Sequence, residues 1–272
     1  MSGFFADGRW VDVTAEDQAR IAAAVDQLAA AGCEAPLKEA QALFATTSDG
    51  FEGLVAQRRA RVPLSHLVGH RDFYKHRFFV TADVLDPRPE TETLVEVALG
   101  TPFQTVLDLG VGSGCILLSL LAERPTATGV GGDLSRGALA VAERNAKAIG
   151  VADRTALTTS DWYSDVTGMY DLIVSNPPYI AMNEMAALQP EVRNHEPRLA
   201  LTDEGDGLSC YRAIIAGAPK HLSRGGRLAV EIGPTQAKAV AEMMARHGFA
   251  QITVVPDLDG RDRVVSARIA TD

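Results

Sequence analysis

Four consecutive residues, Asn176-Pro177-Pro178-Tyr179, have the groups needed to hold a planar NH2. They follow the apolar run 170–175, which predicts a buried strand. The Asn176 side-chain oxygen and the Pro177 carbonyl are acceptors, Pro178 has no competing N–H, and Tyr179 can cover a flat group. The motif therefore predicts a site that binds both hydrogens of an amide or amine and aims its lone pair at an electrophile. Asn-Pro and Pro-Pro are also ordinary turn dipeptides, which is the alternative interpretation of the same residues.

A glycine-rich loop lies upstream, where the apolar strand 105–109 gives way to a helix. Glycines allow a sharp turn and a close backbone approach, and open α/β sheets bind ligands at such strand ends. The G-x-G-x-G spacing differs from the G-x-G-x-x-G of pyrophosphate binding. An acid before the loop would repel a pyrophosphate but suit a cationic amino-acid group. The residues predicted to contact a cofactor here are Asp108, Gly110, Val111, Gly112, Ser113 and Gly114.

Acidic residues also follow the next two predicted strands. Asp133 ends the first, where a carboxylate can accept hydrogen bonds from both hydroxyls of a ribose. Asp161 and Trp162 follow the second, where an acceptor and a ring could hold adenine. Together with the loop, these residues suit a nucleoside that carries an amino acid and no phosphate. S-adenosylmethionine is such a molecule and is the predicted cofactor, with S-adenosylhomocysteine as product; a nicotinamide or other nucleotide site is the competing interpretation.

The elements that must position these residues alternate along the chain, which predicts an α/β protein with a doubly wound sheet. Strands are predicted at 105–109, 128–132, 156–159, 171–175, 227–232, 250–255 and 263–269, the last two as an antiparallel pair that closes the sheet. Helices are predicted at about 14–32, 37–44 and 51–61, the first capped by Thr14 and Asp17. The predicted domains are a helical substrate-docking domain at 1–63, a hairpin-like connector at 64–90 and a catalytic domain at 91–272.

The composition limits the class of protein. The 272 residues carry a net charge of -9, which argues against broad phosphate-driven binding of nucleic acid. Arg58, Arg59 and Arg61 form a local basic cluster, interpreted as a solvated helix face. The three cysteines have neither paired nor metal-ligand spacing, which fits a reducing compartment and predicts no metal site. Because the sequence shows no apolar span and no signal peptide, we predict a cytoplasmic monomer with no membrane partner.

Beyond single features, several stretches of the sequence form a recognisable set. They are 69–73 with 79–80, the Pro-Arg-Pro-Glu-Thr-Glu run at 87–92, 108–114, 161–162, 176–179, 196–201, 206–208 and 260–263. With them the chain resembles the N5-glutamine methyltransferases of the PrmC/HemK family, which methylate the glutamine of peptide chain release factors. The resemblance extends from about residue 60 to the end, and the Pro-Arg-Pro-Glu-Thr-Glu run with Asn-Pro-Pro-Tyr is specific within the wider methyltransferase superfamily.

The resemblance implies a seven-stranded, Rossmann-like class I S-adenosylmethionine-dependent methyltransferase behind a small helical domain that helps to bind a release factor. It implies substrate-amide contacts at Asn176, Pro177, Pro178 and Tyr179. It implies cofactor contacts at Gly110, Gly112, Gly114, Asp133, Trp162 and Asn176. In the proline-bounded loop, Arg88 and Glu90 are candidate substrate-binding residues, which wall the active site or simply link two domains.

The clamp motif alone does not choose the acceptor. The same fold and cofactor also serve a ribosomal-protein glutamine, a small-molecule amide or amine, or the N6 amine of adenine, and a non-catalytic cofactor-binding scaffold is a further alternative. Three departures from the family pattern bear on this choice: His66, Asp86 and the 202–204 stretch. The N-terminal part is also shorter than usual. Neither the particular release factor nor docking by the N-terminal part is fixed by the sequence.

Overall fold

The computed structural model describes residues 2–270 of the chain. The strands are β1 (Ser2–Ala6), β2 (Arg9–Val13), β3 (His70–Phe73), β4 (His76–Phe79), β5 (Thr105–Leu109), β6 (Thr128–Asp133), β7 (Thr155–Thr159), β8 (Tyr170–Ser175), β9 (Leu222–Glu231), β10 (Phe249–Pro256) and β11 (Asp262–Ile269). The helices are α1 (Ala15–Ala30), α2 (Pro36–Thr46), α3 (Phe51–Arg59), α4 (Leu64–Val68), α5 (Glu92–Leu99), α6 (Cys115–Glu123), α7 (Arg136–Ile149), α8 (Pro190–His195), α9 (Ser209–Gly217) and α10 (Ala237–Arg246).

The chain divides into two compact units. The N-terminal unit contains the chain up to His70 together with Gln189–His195, and the catalytic unit contains Arg71–Leu188 and the chain from Glu196 onward. The first boundary falls inside the stretch 64–90 that was predicted to connect two domains. The segment Gln189–His195 joins the N-terminal unit from far along the chain, so a division into consecutive segments could not include it.

In the N-terminal unit, three helices surround an apolar core. The core includes Leu28, Leu43 and Phe51, one from each of α1, α2 and α3. Helix α1 begins at a capping box, in which the Thr14 side chain accepts from the Asp17 N–H and the Asp17 side chain accepts from the Thr14 N–H. The three predicted helices and the Thr14–Asp17 cap are therefore confirmed.

A β-hairpin, β1–β2, precedes these helices and was not predicted. Its turn residues Asp7 and Gly8 both have positive φ, 54° and 73°, as a two-residue type I′ hairpin turn requires. Asp-Gly between alternating apolar residues is a known signal for this turn, so the sequence contained the information. Val11 packs against the core, whereas Phe5 and Trp10 lie exposed and in edge-to-face contact.

The basic cluster on α3 is not uniformly solvated, which corrects the prediction for Arg58. Its side chain is buried, with Nε 2.6 Å from Glu39 Oε2 and Nη2 3.0 Å from Glu191 Oε1. Arg61 also pairs with Glu191, at 2.7 Å. Because Glu191 lies on α8, these ion pairs hold that short helix within the N-terminal unit. The spacing of the arginines could not reveal a partner so distant in sequence.

The catalytic unit is built on a seven-stranded sheet in the order β10-β11-β9-β8-β5-β6-β7. Strands β5, β6, β7, β8 and β9 are parallel, while β11 pairs antiparallel with β9 and β10. The predicted α/β class, the seven strands and the antiparallel closing pair are confirmed. The order reverses at β5, which has β6 on one side and β8 on the other, and such a reversal opens a crevice at the carboxyl ends of the strands.

Both faces of this sheet are covered. Val106 and Leu172 contribute to the core beneath α5, α6 and α7, while their neighbours Leu107 and Ile173 contribute to the core beneath α9 and α10. Successive strand residues point to opposite faces, so an apolar run without alternation indicates a strand buried on both sides. This burial makes the sheet a rigid support for the loops at its edge.

The register brings the carboxyl ends of three strands together. Leu109 lies beside Gly132, and Asp108 lies beside Val174. The residues that follow β5 and β8, and the last residue of β6, therefore share one edge of the sheet. Across the described part of the chain, no helix has the length and apolar character needed to cross a membrane.

Candidate active site

A cavity of about 380 Å³ opens at this edge of the catalytic unit. The predicted site residues that line it are Arg88, Gly110, Val111, Gly112, Ser113, Asp133, Trp162, Asn176 and Pro178. Lining residues that the sequence did not point to include Asp83, Thr91, Leu134, Ser135, Ala138, Leu199, Asp203 and Cys210. The structure thus collects the predicted glycine loop, acid, ring and clamp around a single space.

The glycine loop owes its shape to three left-handed residues. Gly110, Gly112 and Gly114 have φ of 78°, 53° and 83°, a region in which a side chain is strained. The N–H groups of Gly110 and Val111 both donate to the Gly132 carbonyl, at 2.9 and 3.0 Å. The loop is thereby fastened to the end of β6, and its residues 110–113 line the cavity, whereas Gly114 does not.

Asp133 connects this loop to the next helix, α7, through two hydrogen bonds. Its Oδ2 accepts the Gly112 N–H at 2.9 Å and its Oδ1 accepts the Ser135 N–H at 2.8 Å. Ser135 in turn caps α7 by accepting the Ala138 N–H. A carboxylate has about four lone-pair positions, so Asp133 keeps acceptor capacity toward the cavity. The predicted ribose contact stays a prediction, and this placement supports it.

Asp108 occupies a different position from the one predicted. It does not line the cavity, and its side chain is fully buried with Oδ2 accepting the Leu117 N–H at 3.2 Å. Oδ1 has no hydrogen-bond partner among the described residues. Burial raises the pKa of this carboxyl to about 7. Asp108 therefore stabilises the start of α6 beneath the loop, and a direct contact with an amino group finds no support in its placement.

Asp161 and Trp162, predicted to hold adenine, also differ in whether they line the cavity. Trp162 lines the cavity, whereas the Asp161 side chain is exposed and outside it. Trp162 has a φ of 50°, which is uncommon for a bulky residue, and its carbonyl accepts from Ser160 Oγ at 2.9 Å. Strained backbone that the surroundings enforce is concentrated at ligand sites. The ring of Trp162, rather than the Asp161 carboxylate, is in place to contact a ligand.

The clamp motif follows β8, which lies on the other side of β5 from the strand that ends at Asp133. Asn176 and Pro178 line the cavity, Pro177 is buried, and Tyr179 lies partly buried behind them. Asn176 Nδ2 donates to the Thr91 hydroxyl at 3.4 Å. With Nδ2 engaged, Oδ1 is the atom left to accept a hydrogen bond from a substrate. The motif therefore lies at the edge of the cavity with its side chains in defined contacts. A turn formed by the Asn-Pro and Pro-Pro dipeptides would not by itself explain this placement.

A second layer of polar residues lies behind the clamp. The Tyr179 hydroxyl donates to Glu231 Oε1 at 3.4 Å, and Glu231 is 1% exposed at the end of β9. Burial raises the pKa of the Glu231 carboxyl to about 7. Gln236 Nε2 donates to the Tyr179 carbonyl at 3.0 Å. None of Thr91, Glu231 and Gln236 was predicted as a site residue.

Arg88 and Glu90, the candidate substrate-binding residues, differ in their surroundings. Arg88 lines the cavity, and its Nη2 donates to both carboxylate oxygens of Glu196, at 2.6 and 2.8 Å. The Glu196 side chain is 1% exposed, so this ion pair neutralises a buried charge. Glu90 does not line the cavity. The arrangement supports a wall role for Arg88, and substrate binding by either residue stays a prediction.

Another buried residue supports the glycine loop from below. Asn145 on α7 is fully buried, and its Nδ2 donates to the carbonyls of Ser113 and Phe79 while its Oδ1 accepts the Phe79 N–H. It therefore joins the loop to the end of β4. Sequence reasoning missed it because a single asparagine on a helix carries no local signal of burial.

The cavity suits S-adenosylmethionine on chemical grounds. Its volume lies within the range of small-molecule sites. Arg88 is the one basic side chain among the described residues that line it, and Glu196 already neutralises that charge. The cavity therefore lacks the cationic groups a phosphate would need. Backbone of the glycine loop, the Asp133 carboxylate and the Trp162 ring would hold the cofactor.

Fold and site together place the chain among the class I S-adenosylmethionine-dependent methyltransferases. The family model described as Methyltransferase small domain matches residues 79–205. The release factor glutamine methyltransferase of Cereibacter sphaeroides is 53% identical over 267 residues, covering 91% of this chain and 96% of that protein. The chain belongs to the release factor glutamine methyltransferase family, as the sequence motifs predicted.

Two further comparisons agree with this. The release factor glutamine methyltransferase of Rhodospirillum rubrum is 46% identical over 234 residues, covering 85% of this chain and 70% of that protein. Among solved structures, the catalytic domain of hMettl16 in complex with MAT2A 3'UTR hairpin 6 has a TM-score of 0.58 at 18% identity, covering 72% of this chain and 76% of that one. The latter similarity shows the shared fold alone.

Proposed function

We propose that this methyltransferase transfers a methyl group to the side-chain amide nitrogen, N5, of a glutamine in a peptide chain release factor. The observation that carries the proposal is the Asn176 amide, fixed by Thr91 so that its oxygen is left for a substrate at the cavity edge. The similarity to relatives named release factor glutamine methyltransferase supports the choice of acceptor. A release factor acts in translation, so we also place the enzyme in the cytoplasm.

The chemical difficulty is the weak nucleophilicity of an amide nitrogen, whose lone pair is delocalised into its carbonyl. Asn176 Oδ1 and the Pro177 carbonyl would each accept a hydrogen bond from one N–H of the substrate amide. These two bonds would hold the nitrogen in one orientation and favour its pyramidal geometry. Positioning of this kind can lower a barrier by about 7–11 kcal/mol. When bound, S-adenosylmethionine would supply a sulfonium methyl: the new carbon–nitrogen bond replaces the carbon–sulfur bond, S-adenosylhomocysteine is the leaving group, and the amide nitrogen gives up one proton to solvent. The nitrogen becomes acidic as the new bond forms, so no strong base is required beforehand.

We assign protein docking to the N-terminal part of the chain, residues 1–63. The exposed aromatic pair on the β1–β2 hairpin supports this assignment, since Phe5 is 74% exposed and Trp10 49% exposed. Large aromatic side chains contribute strongly to protein interfaces. Replacing both by serine should raise the KM for an intact release factor while leaving the KM for a short glutamine peptide unchanged. An equal change for both substrates would remove docking from this hairpin.

The proposed function is tested by methyl transfer from radiolabelled S-adenosylmethionine to purified release factor. The control is the same factor with its target glutamine replaced by asparagine, which retains an amide but shortens the side chain. Label in the first protein and not in the second is the expected result. Label in a ribosomal protein, in nucleic acid or in a small amide, with none in the release factor, would overturn the choice of acceptor.

A further inference from the structure

We propose that Gln236 is a positioning residue for methyl transfer, which anchors the end of the clamp by binding the Tyr179 and Gly207 carbonyls with one side-chain amide. The proposal rests on the proposed function of the clamp and adds to it a residue from a distant segment. Gln236 lies at the start of α10, just beyond the turn that follows β9. It does not line the cavity, so it acts on the reaction through the residues that it binds.

The clamp needs an anchor because its own backbone has few groups that can be held. Its first residue, Asn176, directly follows β8 and is supported by the sheet. Pro177 and Pro178 have no N–H, so this stretch cannot donate backbone hydrogen bonds. The Pro177 carbonyl has to stay available for the substrate amide. Further support of the backbone must therefore come at the other end of the motif, at Tyr179.

The Gln236 side chain is arranged to give this support. Its Nε2 donates to the Tyr179 carbonyl at 3.0 Å and to the Gly207 carbonyl at 3.1 Å. Its Oε1 accepts the Gly233 N–H at 3.0 Å, and the Tyr211 hydroxyl lies 3.2 Å from the same oxygen. A carbonyl can only accept and a backbone N–H can only donate, so these partners fix the direction in which the amide points. Both hydrogens of the amide are used, and one side chain joins three segments.

The second of the two carbonyls belongs to a turn beside the cavity. Asp203, which lines the cavity, accepts the N–H groups of Gly205 and Gly207, each at 2.9 Å, and so shapes this turn. Gly207 has a φ of 74°, and a Cβ at this position would collide with the Tyr179 carbonyl oxygen. The turn therefore packs directly against the clamp, at a point where only glycine fits without displacing it.

Two backbone hydrogen bonds continue this packing beyond the clamp. The Ile180 N–H donates to the Leu201 carbonyl and the Met182 N–H donates to the Gly205 carbonyl, both at 3.0 Å. The stretch after the clamp thus runs alongside the turn, and Gln236 joins the two where the clamp ends. Without this side chain, the last carbonyl of the clamp would lose its donor and the clamp could shift relative to the cavity. A shift of about 1 Å can cost roughly 100-fold in rate.

The first test compares Gln236→Met with Asn145→Leu, a matched change beneath the glycine loop, each in the full chain. Both replace a carboxamide that donates to two backbone carbonyls by an apolar side chain of similar size. Gln236→Met should lower kcat for a release-factor glutamine peptide by about 10- to 100-fold, with the S-adenosylmethionine Kd unchanged by calorimetry. Asn145→Leu should instead raise that Kd, because its amide holds the Ser113 carbonyl of the loop. A Gln236→Met enzyme with wild-type kcat, or with a loss confined to cofactor affinity, would overturn the proposal.

Gln236→Glu gives a pH readout that a loss of packing would not produce. An ionised carboxylate has no hydrogen to donate to the Tyr179 and Gly207 carbonyls, whereas a protonated carboxyl has one. Burial and the two carbonyl oxygens disfavour the charged form, which raises the pKa of the new carboxyl. The kcat of this variant, divided by the wild-type kcat at the same pH, should therefore rise as the pH falls from about 9 to about 6. A ratio that stays constant over this range would contradict the donor role of the amide.

Gly207→Ala displaces the same end of the clamp without touching Gln236, and Gly248→Ala is its control. Both glycines have positive φ, 74° and 81°, so both changes strain the backbone. Among the described residues, however, nothing lies within 4 Å of a Cβ at Gly248. Gly207→Ala should lower kcat by about 10-fold or more, and Gly248→Ala should keep it near the wild-type value. Equal kcat in the two variants would show that contact with the clamp has no effect on the reaction, against the proposal.

Hydrogen exchange separates this proposal from the proposed function, because it needs no acceptor. In Gln236→Met, the amides of Ile180 and Met182 should exchange faster than in wild type, while those of the glycine loop keep the wild-type rate. Unchanged exchange at both amides would overturn the anchoring by Gln236, whatever the acceptor is. If the wild-type enzyme fails to methylate the release factor while exchange in the variant is faster, the proposed function fails and the anchor stands.

Discussion

Two buried carboxyls, Asp108 beneath the glycine loop and Glu231 beneath the clamp, occupy corresponding positions in two halves of the active site. Both lie at or next to the carboxyl end of a parallel strand, both are almost completely buried, and burial raises the pKa of each to about 7. Their partners differ. Asp108 accepts a backbone N–H from Leu117, whereas Glu231 accepts from the side-chain hydroxyl of Tyr179 in the clamp.

The difference shows what each half of the site requires. The glycine loop must hold one backbone shape, so its acid binds backbone and stabilises the beginning of a helix. The clamp must hold its aromatic ring beside the substrate, so its acid accepts a hydrogen bond from the hydroxyl on that ring. Burial raises the pKa of both carboxyls, yet Asp108 stabilises a helix and Glu231 orients a side chain of the clamp. The hydrogen-bond partners of the two carboxyls, and not their pKa values, distinguish these roles.

The largest expected effect lies in the clamp. Asn176→Ala should lower kcat by about 10²- to 10³-fold, the cost of removing one polar group that orients a reacting centre. The affinity for S-adenosylmethionine, measured by calorimetry, should change little because the glycine loop and Asp133 are untouched. A variant with near-normal turnover would refute the amide clamp and, with it, the distinction between the two halves.

A third buried carboxylate, Glu196, forms an ion pair with Arg88, and this pair should contribute to stability. Arg88→Met should destabilise the protein by about 3 kcal/mol in urea unfolding, because it leaves the Glu196 charge buried and unpaired. The control is Lys147→Met, which breaks the exposed pair of Lys147 with Glu143 and should cost less than about 1 kcal/mol. Equal effects of the two changes would mean that burial does not set the value of these charges.

The glycine-loop half should respond through binding. Asp133→Ala should weaken S-adenosylmethionine binding by about 30- to 100-fold, since it removes a charged acceptor and the bond that shapes the loop at Gly112. Calorimetry measures this directly, and kcat at saturating cofactor should fall much less than in Asn176→Ala. Unchanged affinity would move the ribose contact away from Asp133.

The smallest expected effect is on the pH dependence of stability, which can be compared for Asp108 and Glu231. A carboxyl whose folded-state pKa is raised stabilises the fold fully below its unfolded pKa, and that contribution is lost as the pH rises through the folded value. For Asp108 this window extends from about 4 to about 7. Asp108→Asn should therefore remove about 2 kcal/mol of the decrease in unfolding free energy between pH 5 and pH 8.

Urea unfolding at the two pH values provides the measurement, and Glu231→Gln should act similarly in it. In catalysis the variants should diverge: Glu231→Gln should lower kcat because it weakens the hydrogen bond that holds the Tyr179 ring, whereas Asp108→Asn should leave kcat near that of wild type. If the two variants lowered kcat equally, the contrast between the two halves would collapse.

Much of the fold was predictable because its signals are local. The apolar runs predicted all seven strands of the main sheet, and the Thr14 cap predicted the start of α1. The glycine loop and the clamp were recognisable from residue type and order. The β1–β2 hairpin was missed although Asp7-Gly8 signals its turn, because the apolar runs beside it are short.

What the sequence determined by itself was therefore the class of fold, the cofactor chemistry and the four residues of the clamp, each encoded within a short segment. The tertiary structure decided which polar groups stand behind them. Asn176, Thr91, Tyr179 and Glu231 come from three separate segments, and their contacts exist only once β8, β9 and the loop before α5 are packed together. The same packing placed Asp108 beneath the loop instead of in the cavity. Burial and the direction of a hydrogen bond depend on neighbours distant in sequence, so no local pattern could specify them.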